Sequence, residues 1–186
     1  MKFLLDTLEH FGVLSDTCKQ ELLGKVKSKV IEKGNMLTYS EETCNELYLI
    51  ERGCLRGFYF KDSANITNWI HLDGMFATSS SFFTRTANHE AIEALETSSL
   101  LFINFKDLNE LQSQFPEILH IRLLITEFYF AKLEAHLLML RLQTAKQRYE
   151  SLLKNESQLI NRVPLFYIAS YLGMTPVTLS RIRGQC

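Results

Sequence analysis

The residues best placed by type and spacing to do chemistry lie near the end of the chain. They are Thr175, Thr178, Ser180, Arg181 and Arg183, within Met174-Thr175-Pro176-Val177-Thr178-Leu179-Ser180-Arg181-Ile182-Arg183. Hydroxyls and guanidinium groups so closely spaced suit a polyanion, and an arginine can donate two parallel hydrogen bonds to guanine O6 and N7. To work together they need a helix held from behind. Leu179 and Ile182 face inward, Thr175 is a cap, and Pro176 fits the first helical position, where its missing N–H costs nothing. Upstream, Pro164 starts a helix that buries Leu165, Ile168, Ala169 and Leu172, and Gly173 supplies the positive φ that turns the chain. Ala169 is small where a second helix must cross closely. The pattern is helix, tight turn, helix, the arrangement in which the second helix enters the DNA major groove. A helical hairpin without a ligand is the plainer reading, and the apolar positions on both sides of the turn weigh against it.

Charge points the same way once it is divided. The chain carries 20 Lys and Arg against 21 Asp and Glu, a net −1. Residues 1–140 hold 13 basic and 19 acidic side chains, a balance of −6, and residues 141–186 hold 7 and 2, a balance of +5. A cationic segment on an acidic body suits a polyanionic partner.

Other chemistries find little support. Cys18, Cys44, Cys54 and Cys186 are widely spaced with no C-x-x-C pair, so unpaired thiols are expected rather than disulfides or a metal site. No His-x-His pair occurs among His10, His71, His89, His120 and His136, and no paired-carboxylate or Ser-His-Asp motif stands out. Glu90, Glu93 and Glu96 read as the exposed face of a strand end. No catalytic residue, metal or cofactor is therefore expected, and the chain does not read as an enzyme.

The elements that position the cationic segment follow from texture. At 186 residues and 46% apolar, the chain suits one or two compact domains. No apolar run reaches the ~20 residues of a membrane span, and Asp6 and Glu9 interrupt a would-be signal peptide; a cytoplasmic protein is expected. Two short amphipathic helices open the chain. From about Lys25 to Phe105, β-rich runs cover Val26–Ile31, Glu46–Ile50, Leu55–Phe60, Ile66–Leu72 and Ala91–Ile103, with turns such as Glu51-Arg52-Gly53 and Leu72-Asp73-Gly74 between them. Leu47 and Leu49 should face one side, Tyr48 and Ile50 the other. Beyond Phe105 the period becomes helical: Asp107 caps a short helix and Pro116 starts a long one. That helix has too many large apolar residues for one buried side, so a second copy should meet it through Ile121, Ile125, Phe128, Leu133 and Leu137. The fold class is α+β: a sensor-like β-roll over 1–115, a dimerisation helix over 116–141 and a helix-turn-helix domain over 142–186.

These residues together resemble the Crp–Fnr family of bacterial transcription regulators, over nearly the whole chain. Glu46-Leu47-Tyr48-Leu49-Ile50-Glu51-Arg52-Gly53-Cys54-Leu55 is similar to that family's strand, Gly turn, strand unit. The stretches Ile168 to Pro176 and Leu179 to Arg183 are most similar to the branch common in Bacteroidetes. The resemblance implies a jelly-roll-like β-roll of the cyclic-nucleotide-binding type, a homodimer, double-stranded DNA as partner and RNA polymerase as a further one. It also locates a ligand pocket at Phe76, Ser79, Ser80, Arg85, Asn88 and His89, where the family's pattern is broken. Cyclic-nucleotide binders of the family use a Glu for the ribose and an Arg for the cyclic phosphate; here Ser79 and Asn88 stand at those positions. Cyclic AMP is therefore not expected to bind, since the phosphate lacks its bidentate counter-ion. Iron–sulfur sensing needs an N-terminal Cys cluster that is missing, and haem sensing has no positive signal. On the reading helix, Pro176 and Val177 replace the family's Arg and Glu, so the operator cannot be carried over. The chain stops three residues after Arg183, where the family continues into a β-hairpin wing, so the wing is expected to be short or absent. An alternative is a sensing or protein-binding module whose helix-turn-helix no longer binds DNA well.

Overall fold

The computed structural model describes residues 1–62, 64–87 and 89–184. Helices α1 (Lys2–Glu9) and α2 (Asp16–Lys25) lead into the β-roll. The Ser15 side chain accepts from the Cys18 N–H and so satisfies one of the donors orphaned at the start of α2. Among the described residues eight strands follow: β1 (Lys27–Ile31), β2 (Met36–Thr38), β3 (Glu46–Arg52), β4 (Leu55–Lys61), β5 (Ala64–His71), β6 (Phe76–Ala77), β7 (Glu90–Ala94) and β8 (Ser98–Asn104). A short helix, α3 (Ser81–Thr84), lies between β6 and β7. The strands form two antiparallel four-stranded sheets, ordered β1-β8-β3-β6 and β2-β7-β4-β5.

The run expected as one strand over Ala91–Ile103 is two. The chain bends at residues 95–97, where Leu95 N–H donates to Cys54 O at 2.8 Å and the Ser98 hydroxyl donates to Glu96 O at 2.7 Å. β2 and β6 have two or three residues each, too few for a period-2 pattern to register. Gly57 on β4 answers a close approach, because a Cβ there would overlap the indole of Trp69 on the paired strand.

At residue 105 the strand becomes helix α4 (Phe105–Gln114). The cap is Asn104 rather than the expected Asp107: Asn104 Oδ1 accepts from the Asp107 N–H at 2.8 Å. Pro116 does open the long helix α5 (Pro116–Leu142). Four helices complete the described chain: α6 (Ala145–Asn155), α7 (Gln158–Arg162), α8 (Leu165–Tyr171) and α9 (Pro176–Arg183). A reciprocal capping box between Thr144 and Gln147 starts α6.

Two apolar clusters hold the molecule. One fills the space between the sheets and runs out under α1, α2, α4 and the first turns of α5, through Leu22, Ile50, Leu100, Leu111 and Ile121. The other joins Leu159, Ile168, Leu172, Leu179 and Ile182 of the helical segment to Cys54, Ile70 and Leu95 of the β-roll. The residues after 142 therefore share a core with the sheet rather than forming a detached unit.

Candidate nucleic-acid interface and ligand cavity

The local sequence of the last two helices forms the arrangement its spacing called for. Gly173 turns the chain at φ +62° after α8. Thr175 caps α9 by accepting from the Thr178 N–H at 3.1 Å, and Leu179 and Ile182 are buried behind it. At about 100° per residue, the stripe opposite Leu179 and Ile182 is Val177, Ser180 and Arg181. All three are exposed, Val177 by 79%. Arg183 lies on the flank, exposed. Two of the five residues expected on DNA also form the cap: the Thr175 and Thr178 hydroxyls lie 2.9 Å apart and Thr178 is half-buried. Gln185 and Cys186, on which the expectation about the wing falls, lie outside the described residues.

Helices α7 and α8 are docked on the β-roll at three points. The Ser170 hydroxyl accepts from the Thr67 N–H at 2.9 Å and donates to Asn65 O, both on β5. Arg162 donates to Asp73 Oδ2 at 2.5 Å, to Gly53 O at 2.8 Å and to Glu96. Burial alone would raise the Asp73 carboxyl, but the bonds from Arg162 and Gly53 hold it below the usual carboxylate range. The third point is Arg56 on β4, 1% exposed, which lies 2.6 Å from Glu93 on β7 and donates to the Thr67 hydroxyl. Its guanidinium is stacked between Phe58 and the ring of Tyr167 from α8, at 4.1 and 3.8 Å. The carboxylates expected on an exposed strand face are thus structural: Glu93 and Glu96 fix the helical segment, and Glu90 is buried.

A cavity of about 830 Å³ opens between the β-roll, α5 and the helical segment. Phe76 and Ser80, expected there, line it, and Ser79 is buried beside them. Arg85 and His89 do not. Arg85, at φ +57°, turns back to Cys44 O and Asn45 Oδ1 and stacks on Phe105, while His89 is exposed and paired with Glu41. Both were placed by alignment with the family's phosphate-binding loop, whose geometry this loop does not reproduce. Asn88 lies outside the described residues.

A connected polar set in the cavity wall comes from β5 and β7. Glu90 Oε1 accepts from Asn68 Nδ2 at 2.8 Å and Trp69 Nε1 at 3.1 Å, and Ser79 and Tyr59 donate to the same carboxyl. Burial raises this carboxyl above its ordinary value, although the four donors pull it down. His71 stacks on Trp69 at 4.4 Å and its Nδ1 donates to Phe76 O at 2.8 Å, leaving Nε2 as an acceptor. Burial, helped by the nearby charge of Lys132, pulls His71 down to about 3, so the ring is neutral. Tyr129 of α5 accepts from the Phe76 N–H at 2.7 Å. The sequence offered one signal for this set, the alternation of Trp69 and His71 on a single strand face.

On α5, Ile121 is buried and Ile125 packs on the β-roll core, so neither belongs to an outer seam as expected. The uncovered apolar residues fall at Leu119, Leu123, Phe130, Leu133 and Leu137, with Leu138 and Leu142 exposed toward the end of the helix. Phe128 is half-exposed but turned to Phe11 and Tyr129. Cys18, Cys44 and Cys54 are free and buried, and burial pushes Cys18 to about 11 and Cys54 to about 12, so neither is a ready thiolate. Among the described residues no group of His, Cys, Asp and Glu gathers to hold a metal ion, and no helix is long and apolar enough to cross a membrane.

The fold is that of Crp/Fnr regulators: a cyclic-nucleotide-binding-type β-roll, a long helix and a helix-turn-helix. The chain is similar to FixK2 from Bradyrhizobium japonicum, at 20% identity and a TM-score of 0.73 over 86% of this chain and 83% of that one. It is similar to the c-di-GMP responsive global regulator CLP from Xanthomonas campestris, at 13% identity and a TM-score of 0.74 over 92% and 91%. A third likeness is to a putative transcriptional regulator of the crp/fnr family from Eubacterium rectale, at 17% identity and 0.72 over 92% and 83%. No protein-family model and no curated protein matches the sequence.

Proposed function

We propose that this chain is a homodimeric, sequence-specific DNA-binding transcription regulator of the Crp–Fnr type, acting in the cytoplasm without catalysis of its own. The observation that carries the reading is α9: a capped helix, held from behind by Leu179 and Ile182, with Arg181 and its neighbours outward on a segment of balance +5. The uncovered residues of α5 favour the dimer. Leu119, Leu123, Phe130, Leu133 and Leu137 recur at the alternating three- and four-residue steps of a coiled-coil seam, with Thr126 at the intervening position. A second copy of α5 covers that seam and brings two reading helices to one palindromic site, since a two-fold protein imposes a two-fold operator.

Cyclic AMP is not its effector. Arg85, just after α3, is committed to Cys44 O and Asn45 rather than to the cavity, and the carboxylate of Glu90 in the cavity wall repels a phosphate. Selection from random duplexes followed by fluorescence anisotropy tests the reading. A palindromic site, affinity falling steeply with salt, and a loss of roughly 1–3 kcal/mol in Arg181→Ala are expected. Salt-insensitive or unselective association refutes DNA reading and favours a sensing module, and micromolar cyclic AMP binding by calorimetry refutes the statement about the effector. Leu133→Glu with Leu137→Glu should give a monomer by sedimentation.

A further inference from the structure

The outward stripe of α9 places an apolar side chain among the donors. Val177 is 79% exposed, in the first turn of the helix and directly after Pro176. It faces away from Leu179 and Ile182 and leaves the second apolar cluster untouched. Helix stability does not ask for it, because a β-branched residue is a mediocre helix former. Arg181 follows it at i+4 and Ser180 at i+3, so the three share one face, with Val177 and Arg181 about 6 Å apart along the axis. That rise corresponds to about two base-pair steps at 3.4 Å each.

We infer that Val177 is a specificity residue that packs on the C5-methyl group of a thymine in the operator half-site, close to the base pair read by Arg181. This deepens the DNA reading above and rests on it. The chemistry leaves few choices. An isopropyl group can neither donate to guanine or adenine N7 nor accept from the cytosine or adenine amino groups, and in the major groove the thymine methyl is the apolar feature. Neither phosphate nor sugar rewards a valine, so a groove-facing Val177 contributes only where a methyl meets it. Arg181 on the same stripe supplies the guanine contact, and the half-site is expected to hold a thymine within about two steps of that guanine.

Deoxyuridine differs from thymidine by that methyl alone, which makes the test specific. The selected duplex is remade with each half-site thymine replaced in turn by deoxyuridine, and binding is followed by anisotropy at fixed salt. One position should weaken binding roughly fourfold, the equivalent of about 0.8 kcal/mol for one buried carbon. Val177→Ala should weaken the parent duplex by a similar factor and lose the deoxyuridine effect, while its affinity for random DNA is unchanged. Val177→Thr, which keeps one methyl, should retain part of the sensitivity. Arg181→Ala should lose discrimination at the guanine and keep the deoxyuridine effect. If no substituted thymine matters, or if the effect persists in Val177→Ala, the inference fails while DNA reading stands. If no site is selected at all, both fail together.

Discussion

Glu93→Gln should be among the most destabilising single substitutions in the β-roll that leave shape unchanged. It removes the anion facing Arg56, whose side chain is 1% exposed, while Glu93 itself is only 13% exposed. At 2.6 Å the attraction is on the order of 6 kcal/mol with an effective dielectric of about 20, most of it offsetting desolvation of the two charges. Deleting one partner of such a pair leaves the other charge stranded and costs about 3–5 kcal/mol. Among the described residues, Arg56 Nε already has no hydrogen-bond partner, so little remains to stabilise an orphaned guanidinium beyond the Thr67 hydroxyl and the Phe58 and Tyr167 rings. Against a total stability of about 5–15 kcal/mol, that is a large fraction. Urea denaturation followed by fluorescence reads it directly, since Trp69 is the single tryptophan and lies in this sheet. The double variant Arg56→Met with Glu93→Gln should recover most of the loss, because no charge is then buried. A cost below about 1 kcal/mol for Glu93→Gln, or a double variant no more stable than the single one, refutes the account of the pair as a charge problem.

Three further expectations follow from the same geometry. His71 takes up a proton in the unfolded chain below its ordinary value of 6.5 but in the fold only near 3, so stability should fall as pH drops through that interval, by up to about 1.4 kcal/mol per pH unit. His71→Gln should flatten that slope in urea melts taken between pH 7 and 4. Gly57→Ala should displace the Trp69 indole, seen as a shifted emission maximum with a loss of stability of about 1–3 kcal/mol. Arg162→Ala should raise amide exchange in α8 at neutral pH. In the parent protein the Arg162–Asp73 contribution is complete above the ordinary aspartate range and is lost as pH falls through the depressed Asp73 value, so protection factors there, corrected for the intrinsic exchange rate, should fall in acid.

Much of the architecture was legible because local signals and tertiary structure agree. Pro116, Gly173, Thr175 and Pro176 each act at a helix end, where capping and φ requirements depend on a few neighbours. Strands that are dense apolar and aromatic runs between turn signals, such as β3 and β4, were found near their observed bounds, whereas β2 and β6 are short pieces paired to the edges of longer strands. Helix α6 was missed: its signal is a Thr144–Gln147 box before a mixed polar run, weaker than the periodicity on either side. The cavity was least legible. Asn68, Trp69, His71 and Glu90 of its wall come from strands well separated in sequence and meet through sheet pairing, while Arg85 and His89 followed from the family alignment, and here they turn to Cys44, Asn45 and Glu41 instead. Two residues expected in the α5 seam, Ile121 and Ile125, pack on the core instead, because sequence shows which residues are apolar, not which of them the β-roll has already covered.

Strand β5 ends its sheet, so among the described residues one side of its backbone has no strand neighbour. Ser170 occupies part of that side, meeting the Thr67 N–H and the Asn65 carbonyl as a neighbouring strand would. The helical segment is thus also an edge guard. A β-roll cut free at residue 142, or a full chain in which α8 swings away for long, presents an unguarded strand able to recruit the same strand from another molecule. Self-association is then built into the geometry that positions the reading helix, and it tells against expressing or transplanting the β-roll without its helices.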